Sequence, residues 1–255
     1  MIRRIALAAT LPVVLLAAWW FASASSTDFY FPPLKRILET FPETWFGPRM
    51  VDDVLPSLAR LAIGYAAALV VGIGLGMLIG ANRTLRAVVE PLLEFLRAVP
   101  PPVLVPILML VAGIGDLMKV LVIVSGCVWP ILLNTVEGVR AVDEVLTDTC
   151  RSYKIRGRLR MWHLTARSAS PQIVAGARQA LSIGIILMVI SEMFAASSGI
   201  GFTVIQFKDG FRIPQMWSGV LLLGLLGVVL AWAFRLVERR VLGWYHGIRA
   251  VQKER

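Results

Sequence analysis

Six long apolar stretches surround one charged segment of helical length, 143–167, which falls between the fourth and fifth stretch. The runs occupy 5–27, 61–82, 98–115, 120–136, 173–191 and 213–234, and only the fifth is interrupted by a charge, Arg178. A helix needs about 20 apolar residues to cross roughly 30 Å of hydrocarbon. None of the runs shows the period-two alternation of a membrane barrel. Charged residues make up 16% of the chain, against about 25% in soluble domains. The sequence is therefore read as an all-α membrane protein with six transmembrane helices. Arg178, near one end of the fifth run, is expected to snorkel.

Charge sorts by loop. Arg3 and Arg4 precede the first run, and Arg83 and Arg86 follow the second. Arg140, Arg151, Lys154, Arg156, Arg158, Arg160 and Arg167 lie between the fourth and fifth, and Arg235, Arg239, Arg240, Arg249, Lys253 and Arg255 follow the sixth. The other connections balance their cations with Asp28, Glu39, Glu43, Asp52, Asp53 and Asp209. The positive-inside rule then places both termini and the 143–167 insert in the cytoplasm of a cell whose inner membrane holds the chain. The net charge of +10 is spread over these loops rather than gathered on one patch, so no nucleic-acid partner is expected; the lipid bilayer is. The first 26 residues resemble a signal peptide in their basic start and Ala22-Ser23-Ala24. Their apolar run is long for a signal, and retention is expected.

Chemistry is sparse. No phosphate-binding loop, nucleophile elbow or paired-histidine metal motif occurs, so no catalytic residue, metal site or bound cofactor is expected. Cys127 and Cys150 sit in different environments, and His163 and His246 are far apart. A gradient-driven carrier usually carries carboxylates inside its spans, and only Glu192 comes close, at a span end. It reads as a carboxylate reaching the outer interface, with a functional ionisable group as the alternative. Arg60 reads as an interfacial anchor, although Arg60 and Arg97 could also offer favourable charge to a crossing anion. Energy for uphill transport would then arrive through the insert. Gly72, Gly76 and Gly80 repeat every four residues and mark one helix face for close packing. Glu94, Arg97 and Pro100-Pro101-Pro102 put charges and helix breakers at the entrance of the third run, either a cavity wall or a kinked entry. The outer segment 26–56 is rich in aromatics and proline, and a short amphipathic helix is expected near 34–41.

Within the insert, Val145, Leu146, Thr149, Tyr153 and Arg156 fall at helical spacing, so one helix shows an apolar and a charged side. Asp148 and Arg151 can pair, and Gly157 is expected to end the helix. A second helical stretch through Leu159, Met161, Trp162 and Leu164 could lie on the membrane. A basic amphipathic loop held to anionic lipid is the plain alternative to a docking element.

Four strings carry a resemblance: Phe95-Leu-Arg97-Ala-Val-Pro100-Pro101, Gly113-Ile-Gly115-Asp116, Pro130-Ile-Leu-Leu-Asn134-Thr135-Val-Glu-Gly-Val-Arg140, and Glu192-Met-Phe-Ala-Ala-Ser197-Ser198-Gly199-Ile-Gly201. Over about 31–243 the chain resembles the permease subunits of binding-protein-dependent ATP-binding-cassette importers. Among these it is most similar to the nitrate, sulfonate, taurine and bicarbonate permeases. The resemblance implies a type I importer permease over 51–240, a first transmembrane helix with outer interfacial segment over 1–50, and a cytoplasmic basic tail over 241–255. It implies a second permease subunit, a separate ATPase subunit that uses ATP, and an extracytoplasmic solute-binding protein.

The family's Glu-Ala-Ala-x-x-x-Gly coupling pattern falls on Asp148, Thr149, Cys150, Arg151, Ser152, Tyr153 and Lys154, with Arg156 and Arg158 beyond it. Asp stands for Glu, Thr-Cys for Ala-Ala and Lys for Gly, and the family's later Leu-Pro falls on Ala166-Arg167. Pro171 and Ile173 match the positions that follow. These departures imply an altered fit in the ATPase cleft and a heterodimer whose other permease keeps the standard loop. Glu94, Arg97, Pro100, Pro101, Asn134, Glu192, Ser197 and Ser198 are the candidate lining of the translocation path. The implied solute is a small oxyanion. The rivals are an ion-coupled carrier or channel and a non-transporting membrane scaffold.

Overall fold

The computed structural model describes residues 2–194 and 196–245, with side chains from residue 10 onward except residue 12. Every regular element among them is helical: α1 (Ile2–Ser23), α2 (Leu34–Trp45), α3 (Met50–Ala81), α4 (Arg83–Arg97), α5 (Pro101–Ala112), α6 (Asp116–Arg140), α7 (Glu144–Ser152), α8 (Gly157–Met193), α9 (Ile200–Asp209) and α10 (Ile213–Val241). Four of these, α3, α6, α8 and α10, are long and apolar enough to cross a membrane. They take up the second, fourth, fifth and sixth apolar runs. The first run falls on α1, of 22 residues, and the helix expected near 34–41 is α2. Of the basic tail expected over 241–255, residues 246–255 lie outside the described residues.

The third run is not one straight span. Helix resumes only at Pro101, and α4 and α5 meet at a bend of 81°. Three consecutive prolines explain it, because each removes a backbone donor and clashes with the turn before it. The end of α4 tightens instead into short-range bonds, Ala98 N to Phe95 O at 3.2 Å and Val99 N to Leu96 O at 3.3 Å. Asn82 starts α4 by accepting from the amides of Thr84 and Leu85. Leu85, Val89 and Leu93, four apart, pack on Ile79, Leu132 and Val136.

The chain divides into two compact units, 1–57 with 197–225 and 58–196 with 226–255. In the second unit α3 and α6 meet along the glycine stripe. A Cβ built on Gly64, Gly72, Gly76 or Gly80 would lie 2.5–2.8 Å from Ile123, Ile131, Thr135 or Val139 respectively. Partners advance together along both chains, so the two helices run parallel. The expected packing face is this seam, where the missing side chains let backbones approach. Helix α8 runs antiparallel to both: Cys127 Sγ donates to Ala180 O at 3.2 Å, and Tyr65 Oη to Ala177 O at 2.8 Å. Gly176 and Gly184 face Asn134 and Cys127 on α6. Arg178 does not simply snorkel, since its guanidinium pairs with Glu238.

In the first unit Trp45 is fully buried and donates from Nε1 to Ser218 Oγ at 2.9 Å. The N-terminus of α9 is held by side chains: Gly199 N donates to Asp53 Oδ1 at 3.0 Å, and Ile200 N to Ser57 Oγ at 2.9 Å.

Candidate functional site

Two groups of charged residues in the second unit stand out. The first joins three helices. Arg60, on α3, is 5% exposed; Lys119, on α6, is 2% exposed; Glu192, near the end of α8, is fully buried. Arg60 Nη1 donates to Glu192 Oε1 at 2.8 Å and Arg60 Nε to Asp116 Oδ1 at 2.8 Å. Lys119 Nζ lies 3.6 Å from that same Asp116 oxygen. Both expectations for the larger pair are corrected here. Arg60 and Glu192 are paired with each other inside the protein, neither side chain standing free at its surface. Each buries the other, because an ion removed from water is tolerable only when its partner comes with it. Sequence reasoning named Asp116 only within a family string and passed over Lys119 entirely. The signal available was two charges three apart at the start of an apolar helix.

The second group is the insert. Asp143 caps α7, its carboxylate accepting from Val145 N at 2.7 Å and Leu146 N at 3.2 Å. Such a cap contributes about 1 kcal/mol. The helix ends at Ser152, earlier than the expected stop at Gly157. Ile155 N reaches back to Cys150 O at 2.8 Å and Lys154 N to Arg151 O at 3.0 Å, with Lys154 at φ +57° between them. This is the Schellman closure, whose left-handed position ordinarily takes glycine. Lys154 thus occupies, without a glycine, the conformation that a glycine at that place would supply. Gly157, at φ +59°, opens α8 instead. The stretch through Leu159 to Leu164 is the first part of α8 and includes a wide turn over Met161–Ala166.

Asp148 and Arg151 pair at 2.9 Å on the exposed side of α7. Val145, Leu146, Tyr153, Leu159 and Trp162 are all exposed. Nine residues are too few to hold a helix alone in water, so the two caps matter. A groove of about 1090 Å³ opens beside α7, lined by Arg83, Arg86, Arg140, Arg151 and Arg160 against Glu144 and Asp148. Of the coupling residues expected from sequence, Asp148 and Arg151 line it, whereas Thr149 donates back to Val145 O at 2.7 Å.

Within the second unit the candidate path residues fall in separate surroundings. Glu94 and Arg97 pair at 2.6 Å and line a small cavity of about 230 Å³ with Glu90 and Glu137. Pro100 and Pro101 make the bend between α4 and α5. Asn134 donates from Nδ2 to Pro130 O at 2.8 Å and packs against the α8 backbone at Gly176. Glu192 belongs to the buried network. Ser197 and Ser198 lie in the other unit, just before the capped start of α9.

A family model described as binding-protein-dependent transport system inner membrane component matches residues 68–243. The chain belongs to that family. Among curated relatives, the taurine transport system permease protein TauC of Escherichia coli is 26% identical over 95% of this chain and 91% of its own length. The bicarbonate transport system permease protein CmpB of Synechococcus elongatus is 30% identical over 74% of this chain and 70% of its own. A chain of the MetNI methionine ABC transporter, crystallised in inward-facing conformations, superposes with a TM-score of 0.64 at 18% identity, covering 74% of this chain and 94% of that one. That likeness establishes the fold of a type I importer permease.

As a member of this family the permease is a transport component rather than an enzyme. The matched region takes in the whole of α4 to α9, so the bend, the insert and three of the four networked charges lie inside it. Arg60 precedes it. No group of three or more His, Cys, Asp or Glu poised for a metal occurs among the described residues.

Proposed function

We propose that this permease is the membrane-spanning subunit of an ATP-driven importer, and that it passes a small oxyanion such as a sulfonate, nitrate or bicarbonate. ATP is bound and hydrolysed by a separate ATPase subunit seated on Asp148, Thr149, Cys150, Arg151, Ser152, Tyr153, Lys154, Arg156 and Arg158. A solute-binding protein delivers from outside, and a second permease subunit completes the pore. The path is lined by Glu94, Arg97, Pro100, Pro101, Asn134, Glu192, Ser197 and Ser198, and both termini face the cytoplasm.

The observation that carries the energy coupling is α7. It is a short helix capped at both ends, with exposed Val145, Leu146 and Tyr153 beside a strongly basic groove. Exposed apolar side chains next to charge mark a surface made to be covered. A capped helix moves as a unit, so closure of the ATPase can be passed to the spans as a two-state displacement. The solute class is supported by the relatives named for taurine and bicarbonate transport. A gradient-driven carrier is less well supported, because Glu192, a carboxylate buried in a span, is neutralised by Arg60.

Gentle purification of the tagged chain, with mass spectrometry of everything retained, tests the reading. An ATPase that co-purifies supports it, and a second permease beside it explains the altered loop. A lone chain that moves solute down a gradient overturns it. Uptake of labelled taurine against a neutral competitor tests the solute class.

A further inference from the structure

We propose that Arg60 and Lys119 form a binding site for a small oxyanion, which Asp116 occupies as an internal and displaceable counter-ion. The buried members of the network do not balance. Arg60 and Lys119 are cations withdrawn from solvent, and among the described residues Glu192 is the carboxylate shown buried against them. The balancing charge comes from Asp116, whose side chain is 70% exposed. One oxygen of that carboxylate, Oδ1, serves both cations, at 2.8 Å from Arg60 Nε and 3.6 Å from Lys119 Nζ. Leaving Asp116 in water spares the network one desolvation cost, and it makes Asp116 the member that can exchange with a solute without unburying a charge. Here the two cations and one anion are sealed in and the second anion stands at the door.

The chemistry of the vacated place follows from its donors. A guanidinium edge and an ammonium directed at one point suit an oxygen that carries delocalised negative charge. A carboxylate and a nitrate, bicarbonate or sulfonate offer the same thing. Asp116 is also the first residue of α6, and Gly115 before it places no side chain on the helix amides. Those amides add positive potential at the same point. The turn can yield, because a Cβ at Gly113 or Gly115 would meet nothing within 4 Å. Loop charges assign this end of the helices to the exterior, the side from which an imported solute arrives. For transport, the inference rests on the oxyanion reading above: the arriving anion replaces Asp116 and so carries its own neutralisation into the buried network.

The test uses the full chain in lipid nanodiscs with three sodium salts, nitrate, methanesulfonate and the bulky gluconate, at one ionic strength. Asp116→Asn keeps the shape and removes the counter-ion. Its melting temperature is expected to rise by about 2–4 °C in nitrate or methanesulfonate relative to gluconate, and adding Arg60→Gln should abolish the difference. Equal melting of Asp116→Asn in all three salts overturns the site. Wild type supplies an arm that does not depend on a variant folding. Nitrate is expected to raise amide hydrogen exchange over 120–122, the amides that close the first turn of α6, severalfold as Asp116 is displaced, and unchanged exchange overturns the proposal. Failure here is separable from failure of the transport reading. A complex that imports oxyanions while melting and exchange stay flat sinks this site alone. A chain that shows both responses and imports no oxyanion keeps the site and loses the transport reading.

Discussion

Glu192 Oε1 accepts from Nη1 of Arg60 at 2.8 Å, joining the end of α8 to the start of the apolar part of α3 with both side chains removed from solvent. Breaking a buried pair leaves one charge uncompensated, which costs roughly 3–5 kcal/mol, whereas removing both partners costs far less. Arg60→Gln and Glu192→Gln should each lower thermal stability strongly. The double variant should recover a large part of the loss. Melting of the four proteins in one lipid composition measures the coupling. Additive losses would mean that the two side chains do not act as a pair.

Lys154 gives a second expectation. A residue with a Cβ at φ +57° bears a cost of roughly 1–2 kcal/mol that glycine avoids. Lys154→Gly should therefore tighten the end of α7, while Lys154→Ala keeps the cost and should not. Amide exchange at Tyr153, Lys154 and Ile155 reads the effect. About 1 kcal/mol corresponds to roughly a fivefold gain in protection. Equal protection in the glycine and alanine variants would show that the backbone there is unstrained.

How much of this was legible in the sequence differs by element, for physical reasons. The glycine stripe of α3 was readable because close packing of helices needs small residues at a fixed period, and the period is written in the chain. The Asp148–Arg151 pair was readable because it is local. Arg60 was not. A lone arginine at the end of an apolar run reads the same whether it snorkels or is paired, and its partners lie 56 and 132 positions away. The end of α7 was misplaced because the expected stop signal was a glycine, and the chain turns on a lysine. The break in the third run was readable because three prolines remove backbone donors, whereas the size of the bend, 81°, is not written in the chain. The candidate path residues came from helix breakers and charges at a span entrance, a carboxylate near a span end and motif likeness, none of which tells which side chains meet.

The surface of α7 tests energy coupling. Asp148→Lys and Arg151→Glu remove an exposed pair worth at most about 1 kcal/mol, so membrane insertion and melting should barely change. If the ATPase covers this face, the same substitutions place a wrong charge inside an interface, where truncation alone costs roughly 2–5 kcal/mol. Substrate-stimulated ATP hydrolysis by the assembled complex should then fall about tenfold or more. Normal hydrolysis in both variants would remove α7 from the interface.

Gly74 and Gly76 lie two positions apart on α3 and separate packing from propensity. A Cβ at Gly76 would stand 2.5 Å from Thr135 Cβ and 2.9 Å from the Leu132 carbonyl, and a Cβ at Gly74 would meet nothing within 4 Å. Thr135 cannot give way freely, since it is fully buried and its hydroxyl is bonded to Ile131 O at 2.6 Å. Gly76→Ala therefore has to push α3 and α6 apart, at a cost of about 1–3 kcal/mol. Gly74→Ala costs nothing in space and gains up to about 1 kcal/mol from helix propensity. The two single-methyl changes should move melting in opposite directions. The separation of α3 from α6, read from a spin-label pair on the two helices, should grow only in Gly76→Ala. Matching responses in the two variants would mean that the seam tolerates a methyl group, and that the spacing of the glycines is not what holds these helices together.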